Sequence, residues 1–137
     1  MDFQDIPKNI NSKEKKEDLL KKIQKEKLES LKEVIQDINL MIEKRKLLNK
    51  ELFQDLDKIK TEIRNIIINL DTKEFETSER LKTISELRKK IIEIEELKVN
   101  EKLNLWRDIS NLKKELRTFI KELREKESKQ EILDELI

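Results

Sequence analysis

Residues 69–80 read "NLDTKEFETSER", and they interrupt an otherwise regular pattern. On both sides of this stretch apolar residues recur every three or four positions, the spacing of one face of an α-helix. The stretch breaks the spacing although it contains neither Gly nor Pro. It also holds good helix N-cap residues, namely Asp71, Thr72, Thr77 and Ser78. The fold therefore depends on whether the helix continues here or the chain turns back.

Composition favours few, long helices. The 137-residue chain is 46% charged and has no Gly and a single proline, Pro7. Turns rely on Gly, Pro, Asn and Asp, so a globule with many elements is disfavoured. Abundant Lys, Glu, Leu and Ile in a repeating pattern are typical of coiled coils. The apolar residues are periodic rather than scattered, which argues against disorder.

The first half of the chain carries one heptad frame. Its apolar members are Leu28, Leu31, Ile35, Ile38, Ile42, Leu52, Leu56, Ile59, Ile63, Ile66 and Leu70. Alternating steps of three and four place them on a single helix face. Arg45 and Asn49 are polar residues in the same frame.

The second half repeats the pattern with one irregularity. One frame contains Ile84, Leu87, Ile91 and Ile94, and another contains Ile109, Leu112, Leu116, Phe119, Leu123 and Leu133. Lys98, Glu101 and Leu105 lie between the two groups, and two consecutive steps of four there indicate a stutter.

Folding the chain back on itself aligns the two halves. Leu56 then meets Ile94, and the polar breaks of both halves fall at the same level, with Asn49 opposite Glu101. A single straight helix of roughly 180 Å, at about 1.5 Å per residue, is the rival and would not require such matching. We therefore predict an all-α fold, a long antiparallel helical hairpin (coiled coil) with its turn near residues 71–79.

The predicted boundaries follow from the caps and the periodicity. Residues 1–11 are predicted to be a flexible leader, because Asn11 or Ser12 can cap a helix and Asn11 has Glu14 three residues on, as in a capping box. One coiled-coil domain, 12–137, then comprises a helix over 12–70, a turn over 71–78 and a helix over 79–136. Thr77 or Ser78 would cap the second helix, Asp71 with Glu74 is a competing cap, and Phe75 is predicted to pack over the turn.

Composition also disfavours most chemistry. Without His or Cys, the usual zinc ligands, thiol nucleophile and general bases are missing. Without Gly, no ordinary phosphate-binding loop forms. The sequence therefore predicts no enzyme, no cofactor and no metal. The net charge of +1 gives no global attraction to nucleic acid or membrane, and no apolar run approaches a membrane span. No signal peptide pattern is present, so the predicted location is cytoplasmic.

Four residues form a candidate polar core layer: Arg45, Asn49, Lys98 and Glu101. Such a layer would hold the two helices in one register, as a core Asn does in coiled coils. Two alternatives remain open, in which the four residues point to water on a slipped stripe or form a hinge or partner notch.

Trp106 is the single tryptophan. Its neighbours Leu103, Leu105 and Ile109 favour a position flanking the core. If it is exposed, it is the candidate partner contact, because tryptophan is enriched in binding hot spots.

A basic segment, "SKEKKEDLLKKIQKEK", spans residues 12–27. Most such segments are solvated helix, but clustered lysines also attract phosphates. The candidate phosphate contacts are Lys13, Lys15, Lys16, Lys21, Lys22 and Lys25. The acidic tail "EKESKQEILDELI", residues 125–137, would lie beside this segment in a hairpin and balance its charge.

Apolar residues outside the frame predict self-association. Leu40, Leu47 and Ile68 would be exposed in a lone hairpin. The apolar stripe is widened on one flank by Val34, Met41 and Leu48 and on the other by Phe53 and Ile67. A stripe that wide usually faces more than one neighbour. We expect a dimer of hairpins in a four-helix arrangement.

The stretch "NIIINLDTKEFETSERLKTISELRKKIIEIEE", residues 65–96, resembles uncharacterised archaeal coiled-coil proteins that are distantly related to a eukaryotic mRNP-associated coiled-coil protein. The shared order is a leucine-acidic-aromatic stretch, a Thr-containing turn and a Glu-rich helix start. The Trp expected after "LD" and any Pro in the turn are missing here. The resemblance covers under a quarter of the chain and implies a link to ribonucleoprotein.

Together these features predict a non-enzymatic interaction or scaffold protein whose partners are itself and an unknown protein. Neither a membrane nor a small-molecule substrate is a predicted partner. The alternative is an RNA- or ribosome-associated factor that uses the Lys-rich segment.

Overall fold

The fold is an antiparallel helical hairpin without strands in the described part, as predicted. In a computed structural model, residues 5–72 and 77–136 are described. Helix α1 spans Asp5–Asp71 and helix α2 spans Ser78–Leu136, and the two pack against each other. Cross-helix contacts such as Lys60 with Glu95 join residues on either side of the turn, so the chain does not continue as one helix.

Helix α1 begins earlier than its sequence suggested. It starts at Asp5 rather than at residue 12, so the predicted boundary of the leader is wrong. Pro7 did not prevent this, because proline is tolerated in the first turn of a helix, where its missing N–H would have no intrahelical partner. Phe75 and Glu74 lie outside the described residues, so their predicted contacts stay predictions.

Thr77 caps the start of α2. Its Oγ1 accepts a hydrogen bond from the backbone N–H of Arg80 at 3.2 Å, and its carbonyl oxygen accepts one from the N–H of Leu81 at 3.1 Å. The side chain thus satisfies one of the N–H groups that a helix start leaves without an intrahelical acceptor. Asp71, the competing cap residue, is instead the last residue of α1.

The hairpin divides into two compact units. The turn unit, Met41–Leu112, has a core of four buried isoleucines and one buried leucine, with three half-buried residues packed against it. The buried members are Leu56, Ile63, Ile67, Ile84 and Ile94, and the half-buried ones are Leu70, Leu87 and Ile91. Ile42 is also buried in this unit.

The terminal unit consists of Met1–Leu40 and Lys113–Ile137. Leu31 and Ile38 are its buried apolar residues among those described. Other members of the predicted frames are half-buried there, namely Leu28, Ile35, Leu116, Phe119, Leu123 and Leu133. Within the described residues of this unit, no ion pair joins the Lys-rich segment to the acidic tail, whereas Lys126 pairs with Glu122 inside α2 at 3.4 Å.

The core seam of the turn unit differs from the predicted one along α1. Leu52, Ile59 and Ile66, which the heptad frame placed in the core, are exposed. The residue that follows each of them occupies the seam instead: Phe53 and Lys60 are half-buried, and Ile67 is buried. The seam therefore passes from Arg45 to Asn49 to Phe53 in two steps of four, so α1 has a stutter.

The stutter in α1 matches the one in α2. Lys98, Glu101 and Leu105 are half-buried and follow the predicted frame, as does Ile109. Two steps of four rotate a seam around its helix relative to a strict heptad. Because the facing helix rotates at the same level, α1 must rotate as well to keep its apolar side chains against α2.

Candidate interaction surfaces

Arg45 lies at the seam of the turn unit and contacts two carboxylates of α2. Its Nη1 forms an ion pair with Glu101 Oε1 at 2.7 Å. Its Nε donates a hydrogen bond to Asp108 Oδ2 at 3.0 Å. The Arg45 and Glu101 side chains are 17% and 14% exposed, respectively. The polar contact with Glu101, followed by the one with Asp108, raises the pKa of Arg45.

The other two residues of the candidate polar layer do not join this contact. Asn49 is half-buried at the seam, and its Oδ1 is buried without a hydrogen bond to any described residue. Lys98 instead reaches Asp57, with Nζ 2.6 Å from Asp57 Oδ1. The structure thus brings Arg45 and Glu101 together and separates Lys98 from them.

Ion pairs follow one edge of the seam in the turn unit. Lys98 pairs with Asp57, which lowers the pKa of the Asp57 carboxyl and raises that of Lys98. One turn further towards the loop, Lys60 contacts Glu95, and this hydrogen bond lowers the pKa of Glu95. Lys98 also lies 5.4 Å from the centroid of the Phe53 ring, within the range of a cation–π contact.

Sequence reasoning missed these pairs, although a signal was available. Lys60 lies four residues after Leu56 and three before Ile63, which is a seam position once α1 is allowed a stutter. The strict heptad frame assigned that position to Ile59 and left Lys60 in water. Applying the irregularity of α2 to α1 as well makes Phe53 and Lys60 candidate seam positions, without excluding Leu52 and Ile59.

An exposed row of apolar side chains runs along α1 in the turn unit. The row, here called the α1 stripe, consists of Met41, Leu48, Leu52, Ile59 and Ile66. These side chains are between 38% and 58% exposed. Ile59 precedes Lys60 by one residue, a rotation of about 100°. The α1 stripe therefore flanks the seam on the edge opposite the Lys60–Glu95 ion pair.

Trp106 is exposed, contrary to the prediction that it flanks the core. Its side chain is 72% exposed, and Val99 and Leu103 on the same face of α2 are exposed as well. The seam follows Leu105 and Ile109, and Trp106, about 100° further round the helix than Leu105, lies outside it. Its role as a partner contact stays a prediction.

The Lys-rich segment presents most of its candidate phosphate contacts to solvent. Lys13, Lys15, Lys16, Lys22 and Lys25 are exposed, and Lys21 is half-buried. Leu19, Leu20 and Ile23 are exposed between them. The segment therefore offers charge and apolar surface together.

Over the described ranges, 5–72 and 77–136, neither helix has an apolar stretch that could cross a membrane. Within the same ranges, no three His, Cys, Asp or Glu side chains are grouped to hold a metal ion. Comparison with known proteins adds no relative. No protein-family model, curated protein or solved structure matches this chain.

Proposed function

We propose that this protein is a non-enzymatic coiled-coil interaction module that associates with itself and with a second protein. The observation that carries the proposal is the amount of apolar surface left in water. Among the described residues, nineteen large apolar side chains are exposed and eight are buried. Contiguous exposed apolar patches mark interaction sites in soluble proteins.

The exposed apolar surfaces favour a scaffold role over an enzymatic one. The α1 stripe and the Trp106 face lie on different helices, so the hairpin offers more than one apolar surface. Each fully buried Leu or Ile side chain contributes about 1.5–3 kcal/mol relative to an exposed one, so covering such a row favours association. A cytoplasmic location, and a role without a small-molecule substrate, a cofactor or binding to a membrane, belong to the same proposal.

Sedimentation equilibrium of the full chain at micromolar concentration tests self-association, and we expect the mass of a dimer. For the second protein, affinity capture from the native lysate should recover a partner with the wild-type chain and lose it with Trp106→Ala. Arg107→Ala, an adjacent exposed residue, is the matched control and should retain it. A clean monomer that captures nothing would overturn the proposed function.

A second candidate is an RNA- or ribosome-associated factor. It is favoured by the exposed lysines of the Lys-rich segment and by the resemblance of residues 65–96 to mRNP-related coiled coils. Binding through lysines weakens steeply as salt rises, because phosphate contacts release counterions. In a salt titration, the affinity for bulk RNA should fall steeply as the salt concentration rises. The double variant Lys15→Gln/Lys22→Gln should make this fall less steep. No binding at low salt would remove this candidate.

A further inference from the structure

The α1 stripe has a spacing that reads almost the same in both directions. When one copy of the stripe is laid antiparallel on another, Met41 lies opposite Ile66 of the second copy and Leu48 opposite its Ile59. Leu52 lies next to the centre of this alignment. A two-fold interface needs such a self-complementary patch, because both subunits use the same residues.

The charges beside the stripe agree with this alignment. On the flank away from α2, Lys44 would lie within one residue of the level of Glu62 of the second copy, and Glu51 within two residues of the level of its Lys58. Asp55 on the same flank would lie within one residue of the level of the second copy's Glu51, so two attractive contacts are set against one repulsive contact. The four side chains of the attractive contacts are exposed, and none forms an ion pair with another described residue. Each contact would occur twice across the two-fold axis.

We propose that a second copy of this chain docks on the α1 stripe, antiparallel, about a two-fold axis near residues 53 and 54. The proposal rests on the proposed self-association and specifies its surface and direction. A parallel pair is disfavoured by the charges, since it would set the charged flank of one copy against the seam edge of the other. At that edge Leu56 and Ile63 offer no charge, and Arg45 is already paired.

Cysteine cross-linking tests the alignment directly, because the native chain contains no Cys. A mixture of L48C and I59C chains should form disulfide-linked dimers that join one chain of each kind. L48C alone should not cross-link, because its two copies would be separated by about 16 Å along the helix, beyond disulfide reach. A parallel, in-register pair would give the reverse pattern.

Charge substitution provides an independent readout. Leu48→Lys should weaken dimerisation about tenfold or more, since the charge enters the interface twice. Leu40→Lys is the matched control, because Leu40 is an equally exposed residue of α1 outside the stripe, and it should leave the dimer intact. Circular dichroism should show both variants helical.

The outcomes separate this inference from the proposed function. A wild-type dimer by sedimentation together with the mixed L48C–I59C disulfide supports both. A wild-type dimer that cross-links through L48C alone, or not at all, would overturn the antiparallel stripe and leave self-association standing. A dimer equally sensitive to Leu40→Lys and Leu48→Lys would also overturn the stripe, and a monomer would overturn both.

Discussion

At the scale of single residues, the turn unit is distinguished by charged side chains that reach into or across its seam. Arg45 and Glu101 are more than four-fifths covered and pair with each other. A covered charge that loses its partner is costly, whereas replacing both partners by apolar residues is often neutral or stabilising. We therefore predict that this pair contributes more to register than to stability.

Arg45 and Glu101 should be energetically coupled. Arg45→Leu should destabilise the hairpin, because Glu101 and Asp108 lose their cation, and adding Glu101→Leu should recover stability. We expect a coupling energy of about 1 kcal/mol from a double-mutant cycle in urea at one fixed protein concentration. Glu43 and Lys46, an exposed pair at 3.8 Å, are the control and should give a value near zero. Additive losses for Arg45 and Glu101 would contradict the prediction.

We predict that the Asp57–Lys98 pair makes the stability of the hairpin depend on pH. Lys98 lowers the pKa of Asp57 below its ordinary 3.8, so the folded state favours the carboxylate. The stabilisation is fully present above that ordinary pKa and is lost as the pH falls through the lower folded value. Asp57→Asn should lower the melting temperature at neutral pH, and the difference from wild type should vanish in strong acid.

Asp37→Asn is the control for this titration, because Asp37 is exposed and has no ion pair with any described residue. Its melting temperature should follow that of the wild type across the pH range. A difference between Asp57→Asn and wild type that persists unchanged into strong acid would show that the ion pair is not its source.

At the scale of elements, the start of α2 depends on one side chain. Thr77→Ala removes the hydroxyl that accepts from the N–H of Arg80 and should cost about 0.5–2 kcal/mol of stability. Thr83→Ala is the control, since Thr83 is an exposed residue inside α2 whose hydroxyl donates back to Glu79 O. Alanine is the better helix former there, so this variant should be neutral or stabilising. Urea unfolding measures the stability of both variants, and equal losses of stability would argue against a capping role for Thr77.

The stutter of α1 predicts opposite behaviour for two adjacent isoleucines. Ile67→Ala removes a buried side chain of the core and should cost about 2–4 kcal/mol, whereas Ile66→Ala should cost less than about 1 kcal/mol. Both should be measured by chemical unfolding at a dilution where the chain is monomeric, so that any loss of association does not enter. A larger loss of stability for Ile66→Ala than for Ile67→Ala would support the strict heptad frame instead.

At the scale of the whole molecule, the turn can be measured as a distance within the turn unit. Spin labels at Lys58 and Lys90, diluted with unlabelled chains, should be close together because the two positions lie at similar levels of antiparallel helices. A continuous helix would hold them about 48 Å apart at about 1.5 Å per residue. A distance near that value would exclude the hairpin.

Much of the fold was accessible from the sequence. Helical periodicity identified both helices, and the breakdown between Asn69 and Arg80, with Thr77 as a cap residue, located the turn correctly. The matched polar positions favoured the hairpin over one long helix. These features were readable because periodicity and capping are local properties, expressed within a few turns of one helix.

Only the tertiary structure decided which of two neighbouring rows of α1 enters the core. Leu52, Ile59 and Ile66 fit a helix face as well as Phe53, Lys60 and Ile67 do, because adjacent rows differ by a rotation of one residue. The choice depends on the level at which α2 stutters, and local spacing in α1 contains no information about it. Because the row of Phe53, Lys60 and Ile67 faces α2, the α1 stripe is left in water. The sequence by itself thus determined the helices and their turn, while packing between the helices determined the surfaces they present.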